Sequence, residues 1–264
     1  MEYIVSLPSL EGGRIFDTHA HYDDSAFDGD RDELLNEMHR YGVGSIITCG
    51  CDEASSNAAL ELAHKHPFIY AAVGVHPECT KNGYDEDWIR RLAADEKCVA
   101  IGEIGLDYHW SEPNERDKSI FESQLALAKD LEKPVILHDR EAHGDTFDIL
   151  KKHRPRGVMH CYSGSAEMAH QLVDMGLYIG LGGVLTFKNA RKTVEVAEQI
   201  PLEHILLETD APYMAPVPLR SRRCHSAMIV YVAERLAQIK GVTLKEVLDV
   251  TYRNAQELFG ISED

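Results

Sequence analysis

Eight short apolar runs punctuate the sequence, at residues 14–16, 44–48, 69–75, 99–101, 134–137, 157–159, 177–181 and 205–207. Most are continuously apolar rather than alternating. That is the pattern of strands covered on both faces, as in a parallel sheet. The stretches between them have helical spacing. Asp30-Arg31-Asp32-Glu33 resembles a capping box ahead of Leu34, Leu35, Met38 and Tyr41, with Gly42 as the stop. Ser55 or Ser56 can cap the next helix, which ends before Pro67. Phe121, Leu125, Ala128 and Leu131 mark a fourth crossover helix, and Ser165 can cap another that ends at Gly176. Ile229, Val232, Ala233, Leu236 and Ile239 form an apolar stripe closed by Gly241, and Thr243-Leu244-Lys245-Glu246 opens a last helix. Strands alternating with helices imply right-handed βαβ units. Eight of them in 264 residues give an α/β fold: one (β/α)8 TIM-type barrel over residues 1–264, with additional C-terminal helices. A doubly wound open sheet is the competing architecture, but it usually carries a Gly-rich phosphate turn after its first strand. Here that place holds Asp17-Thr18-His19-Ala20-His21.

Composition narrows the function. The chain has 27 basic and 44 acidic residues, a formal net charge of −17. That argues against a protein that coats nucleic acid with a broad basic surface. An enzyme acting on nucleic acid would need local attraction from metal ions or a few arginines. The six cysteines form no C-x-x-C pair and read as buried thiols of a reducing compartment. Cys49-Gly-Cys51 is a weak candidate thiol site, because it sits at the end of a buried strand. There is no low-complexity segment, no apolar stretch of membrane-spanning length, and no basic, apolar N-terminal leader. A cytoplasmic location without membrane contact or an obligate protein partner is expected.

Polar residues cluster where the apolar runs end, which is where such a barrel builds its active site. His19 and His21, at i and i+2 on extended chain, can reach one metal ion. Glu103 follows the fourth run. Buried there without a partner it would be costly, and its two oxygens can bridge two cations. His138 follows the fifth run, His160 the sixth and Asp210 the eighth, next to the first strand once the barrel closes. His76 ends the third and can contact a substrate oxygen or donate a proton. Most of the other histidines read as surface residues.

The ordered segments Phe16–His21, Gly74–Pro77, Gly102–Tyr108, Leu137–Arg140, His160–Gly164 and Glu208–Tyr213 resemble the TatD family of metal-dependent DNases, part of the wider amidohydrolase-like group. The match runs from the first strand to the last. The resemblance implies two divalent metal ions, magnesium, manganese or zinc. His19, His21, Glu103 and Asp210 would hold one; Glu103, His138 and His160 would hold the other, with Glu103 bridging. It makes Asp210 and Glu103 the catalytic carboxylates, with Asp210 placed to orient or deprotonate the attacking water. The sequence departs from the family pattern at Arg220-Ser221-Arg222-Arg223-Cys224-His225-Ser226, where the basic residues persist but an Asn-Glu-Pro part does not.

The expected reaction is phosphodiester hydrolysis by a water that two metal ions activate. The family association points to DNA, single-stranded or at 3′ ends, cleaved in the 3′–5′ direction. His76, Arg140 and Arg220 are the candidates to hold phosphate, which suits the planar donor fork of arginine. Two other readings compete. One is a metal-dependent amidohydrolase or esterase acting on an amide, a lactone or an aminoacyl ester; the classical amidases more often carry a carboxylated lysine where Glu103 stands. The other is a non-enzymatic barrel with a structural metal, although structural sites are closed and often rich in cysteine.

Overall fold

The computed structural model describes residues 7–110, 112 and 114–262. Residues 1–6, part of the N-terminal stretch read above as no secretory leader, lie outside them. All eight expected strands occur: β1 (Ile15–Ala20), β2 (Val43–Cys49), β3 (Ile69–Val73), β4 (Cys98–Asp107), β5 (Val135–Arg140), β6 (Gly157–Met159), β7 (Leu177–Leu181) and β8 (Ile205–Leu207). They form one sheet in chain order, every neighbouring pair parallel. Between β8 and β1 the ladder shrinks to one parallel bridge, Ala20 with Ala211. The N–H groups of Thr209 and Asp210 donate to the carbonyl of His19 at 3.3 and 3.0 Å, and His21 N–H donates to the Ala211 carbonyl at 2.7 Å. Loop backbone thus closes the barrel.

Each strand is followed by a helix: α1 (Arg31–Tyr41), α2 (Glu53–Lys65), α3 (Glu86–Ala93), α4 (Glu115–Asp130), α5 (His143–His153), α6 (Ala166–Asp174), α7 (Arg191–Gln199) and α8 (Ile229–Lys240). The C-terminal addition is α9 (Leu244–Phe259). Phe16, Ile47, Ala72, Ala100, Ile136, Val158 and Leu206, one from every strand but β7, pack into a layer with Tyr252, Ala255, Leu258 and Phe259 of α9. Phe16 meets Tyr252 edge-on at 5.5 Å between ring centroids. This layer plugs the end of the barrel opposite the strand C-termini. No helix among the described residues is long and apolar enough to cross a membrane.

Three strands run further than the apolar runs suggest. β4 continues through Glu103 to Asp107 and β5 through His138 to Arg140, paired as Gly105 with His138 and Asp107 with Arg140, while β1 extends through His19 to Ala20. Polar residues there keep strand geometry because their backbone ladder persists. The first two helix starts also differ in detail. Asp30 precedes α1 but makes no side-chain cap. Its carboxylate instead receives two bonds from the Arg223 guanidinium, at 2.8 and 2.6 Å. Asp52, not a serine, caps α2, and Ser55 is the reciprocal partner of its capping box. Thr243 and Ser165 cap α9 and α6 as expected. All six cysteines are unpaired, but only Cys49, Cys98 and Cys224 are buried; Cys51, Cys79 and Cys161 are half-buried.

The Arg223 fork ties the loop after β8 to the loop after β1. The guanidinium also donates to the Ala26 carbonyl at 2.6 Å and lies 4.7 Å from the Phe27 ring centroid. Charge-assisted bonds of this kind contribute about 2 kcal/mol. Arg223→Ala is therefore expected to lower the unfolding free energy by about that amount, measured by urea denaturation. Adding Asp30→Ala to that variant should cost little more. Fully additive losses in the double-mutant cycle would show that the two side chains are not coupled.

Candidate active site

Side chains in a strand alternate between faces, so residues an even number apart share one. Ile136, Val158 and Leu206 of the plug layer therefore put His138, His160 and Glu208, two residues on, into the barrel interior. β1 and β4 break the rule. Phe16 to His19 and Ala100 to Glu103 are odd separations, which would turn the ligands outward. In β1 the register against β2 shifts between Asp17 and Ala20, and in β4 the register against β5 shifts between Ile101 and Ile104. Such one-residue irregularities re-aim side chains. They bring His19, His21 and Glu103 to the same mouth as the others.

There the structure brings together all six expected ligands. Glu103 is 3% exposed, and its two oxygens face different imidazoles. Oε2 lies 3.2 Å from His19 Nε2 and 3.6 Å from His21 Nε2. Oε1 lies 2.6 Å from His138 Nδ1 and 3.9 Å from His160 Nε2. Asp210 Oδ1 sits 3.5 Å from His21, 3.7 Å from His19 and 3.9 Å from His160. The rings of His19 and His160 stack at 3.5 Å.

Each imidazole has its second nitrogen held from outside. His21 Nδ1 bonds the Cys49 carbonyl at 2.9 Å, and His19 Nδ1 lies 3.4 Å from Cys49 Sγ. His138 Nε2 bonds Asp107 Oδ2 at 3.0 Å. His160 Nδ1 is 3.1 Å from Glu208 Oε2. That is how metal-binding histidines are oriented. Two sets of these donors, His19–His21–Glu103 and His19–His160–Asp210, each lie within 4.8 Å of one another, and Glu103 and His138 form a third with the neighbouring His76. With inward imidazole nitrogens, one buried and one half-buried carboxylate and externally held rings, the donor set fits divalent cations.

The electrostatics agree. Burial acts to raise the Glu103 carboxyl, but His19, His76 and His138 outweigh it and hold the group well below the usual range. Burial likewise opposes the charge on Asp210, and His21 and His160 overcome it. His138 and His160 lose charge preference to burial but regain more from Glu103, Asp107 and Glu208, reaching about 10 and about 9. His19 is pushed down by burial and by His160. Anionic carboxylates thus draw positive charge into a dry site, and a metal ion can take the place of the imidazole protons.

The sequence model of the family described as TatD related DNase matches residues 16–260. The chain is 41% identical over 254 residues to the "Uncharacterized metal-dependent hydrolase YabD" of Bacillus subtilis (strain 168), covering 94% of this chain and 100% of that one. It is 34% identical over 260 residues to the "3'-5' ssDNA/RNA exonuclease TatD" of Erwinia tasmaniensis, with 94% and 100% covered. The crystal structure of the TatD homologue YjjV from Escherichia coli K12 superposes with a TM-score of 0.89 at 34% identity, over 94% of this chain and 99% of that chain. The chain belongs to the TatD family. It is a metal-dependent hydrolase built on the TatD barrel.

The substrate-holding expectations fare differently within this TatD site. His76 is at the cluster: its Nε2 lies 3.4 Å from His138 Nδ1 and 3.6 Å from Glu103 Oε1. Its Nδ1 accepts the N–H of Glu78 at 3.2 Å, so the ring proton sits on Nε2 and points into the site. Arg140 and Arg220 rest against aromatic rings. Arg140 lies over the Trp110 ring at 5.4 Å, and Arg220 lies over Phe187 at 3.7 Å and donates to the Ala215 carbonyl. In the segment that departs from the family pattern, Arg223 binds Asp30, and Ser226 Oγ lies 2.8 Å from Tyr22 Oη. His225 is 2% exposed with neither ring nitrogen hydrogen-bonded, unlike the surface position expected of most histidines outside the site.

Sequence reasoning missed the outer partners Asp107, Glu208 and Cys49. Glu208 stands two residues before Asp210, so strand parity placed it in the site. Gly180 makes room for it, since a Cβ there would lie 2.5 Å from Glu208 Oε2. Asp107 was hidden because the run was read as ending at Ile101. Loss of an outer partner usually weakens metal affinity by about 10–100-fold. Asp107→Asn should do so, as measured by competition with a chelator. Unchanged affinity would remove Asp107 from any role in orienting His138.

Proposed function

We propose that the chain is a two-metal phosphodiesterase that removes nucleotides from the 3′ end of single-stranded DNA. The observation that carries this reading is the division of the two Glu103 oxygens between separate groups of imidazoles. In this reading His19, His21, Glu103 and Asp210 hold one cation, while Glu103, His138 and His160 hold the second. Bound there, the pair supplies charge to the scissile phosphate and lowers the pKa of water. The name of the Erwinia relative supports a single-stranded nucleic acid as substrate.

The chain's own groups have separate tasks. Asp210 keeps its carboxylate ionised, and its side chain is the more open of the two carboxylates, 24% exposed against 4% for Glu103. It takes the proton of the attacking water. The water oxygen bonds to phosphorus as the bond to the 3′ oxygen breaks, and the leaving 3′ oxygen is protonated from solvent while Asp210 releases the proton it took. His76 directs Nε2–H at a phosphate oxygen. Glu103 stays ionised throughout. The left-handed backbone of Asp210, φ 62°, turns its side chain back over β1; asparagine and aspartate tolerate this conformation better than most residues.

The test uses a 5′-labelled single-stranded oligonucleotide. Metal is removed, then magnesium, manganese or zinc is restored. A shortening ladder that requires metal, with about two ions bound per chain, is expected, and Glu103→Ala should lose both ions and the ladder. No cleavage with any ion, in protein that binds metal, would reject the nuclease and leave carboxylic esters and amides to be assayed. His76→Ala should bind metal normally and cleave about 10²–10³-fold more slowly.

A further inference from the structure

Large side chains at the barrel mouth are not all buried. Trp110, just beyond β4, is 66% exposed, the largest exposure among the described large apolar residues. An aromatic ring left in water forgoes the stabilisation of burial, yet Trp110 is held in place. The Arg140 guanidinium lies over its ring at 5.4 Å, and the His109 ring meets it edge-on at 4.5 Å. Its backbone N–H and that of His109 donate to Asp107 Oδ1, at 3.3 and 2.9 Å. The other oxygen of the same carboxylate holds His138. One side chain therefore joins the tryptophan to the metal cluster.

Beside Trp110 is a cavity of about 410 Å³. Asp107 and Pro77, the residue after His76, line it, and its wall carries both signs, Lys81 and Arg116 beside Glu78 and Asp117. That volume lies in the usual range for small-ligand sites. A flat ring, a cation bracing it and further cations alongside are the ingredients with which proteins hold single strands: the bases stack and the backbone meets positive charge. We infer that Trp110, braced by Arg140, is the stacking platform for a nucleobase of single-stranded polynucleotide next to the scissile phosphate.

Arg140 then serves the substrate by holding the ring, rather than by gripping phosphate at the cations. A paired base is already stacked on its neighbours, so the platform favours single strands over blunt duplex ends. The inference rests on the nuclease reading, and two measurements separate them. Trp88, the second tryptophan of two, is 7% exposed, so a ligand-induced change in tryptophan fluorescence reports on Trp110. A metal-loaded protein titrated with a 3′-phosphorothioate single strand should show quenching. The same strand with abasic sites at its 3′ end should not quench. In steady-state cleavage of unmodified oligonucleotide, Trp110→Ala should raise KM about tenfold while kcat changes little, and Trp110→Phe should restore most of the loss.

Cleavage by the wild type with no quenching and an unchanged KM in Trp110→Ala would overturn the platform and leave the nuclease standing. A fall in kcat alone, unrescued by phenylalanine, would reduce Trp110 to a support for Asp107 and also overturn the platform. Quenching without cleavage would keep the platform and reject the nuclease. Neither signal would reject both.

Discussion

A carboxylate buried among imidazoles is the constraint around which this barrel is arranged. Glu103 carries charge where water is excluded, a placement that costs several kcal/mol unless it is compensated. The compensation comes from β1, β5 and β6, through His19, His21, His138 and His160, with His76 beside β3. No single strand could supply it, so the closed sheet is a condition of the site. The dependence runs the other way too. The segment after β8 that carries Asp210 is the segment whose backbone meets β1.

Much of this was legible in the residues. Continuous apolar runs gave the strands, because both faces of a parallel sheet are covered. His138, His160 and Asp210 were legible because they follow apolar runs whose register is regular. His19, His21 and Glu103 were expected at the mouth as well, from their place after apolar runs; what stayed hidden is how the backbone aims them there. Alternation counted from Phe16 or Ala100 would turn His19 and Glu103 away from the interior, and nothing in a linear pattern marks the register shifts that turn them back. Arg140 and Arg220 were expected at phosphate because arginine suits that task; that each rests on an aromatic plane, Trp110 and Phe187, could not be read from local sequence. Asp30 looked like a helix cap because its neighbours fit the pattern. Its actual partner, Arg223, is 193 residues away, beyond the reach of any local rule.

The net charge of −17 would repel a polyanion at long range. Attraction in this molecule has to be local. In the proposed reading, cations held at the cluster would reverse the sign of the site itself, and Lys81, Arg116 and Arg140 stand around Trp110, among Glu78, Asp107 and Asp117. For the proposed substrate, such a surface would favour an end that can enter over a long duplex lying across it. Salt should then weaken capture less steeply than for a groove binder, since few phosphates are neutralised.

The seam between β1 and β8 has a bearing on synthesis. It pairs the carbonyl of His19 with the N–H groups of Thr209 and Asp210, the first of them 190 positions further along the chain. A polypeptide emerging N-terminus first carries the histidine pair from the start and Glu103 midway, but it can neither seal the wall nor complete the ligand set until residue 210 has been made. The cation site proposed for Asp210 with His19 and His21 is thereby the last to be completed, after the one proposed for Glu103, His138 and His160.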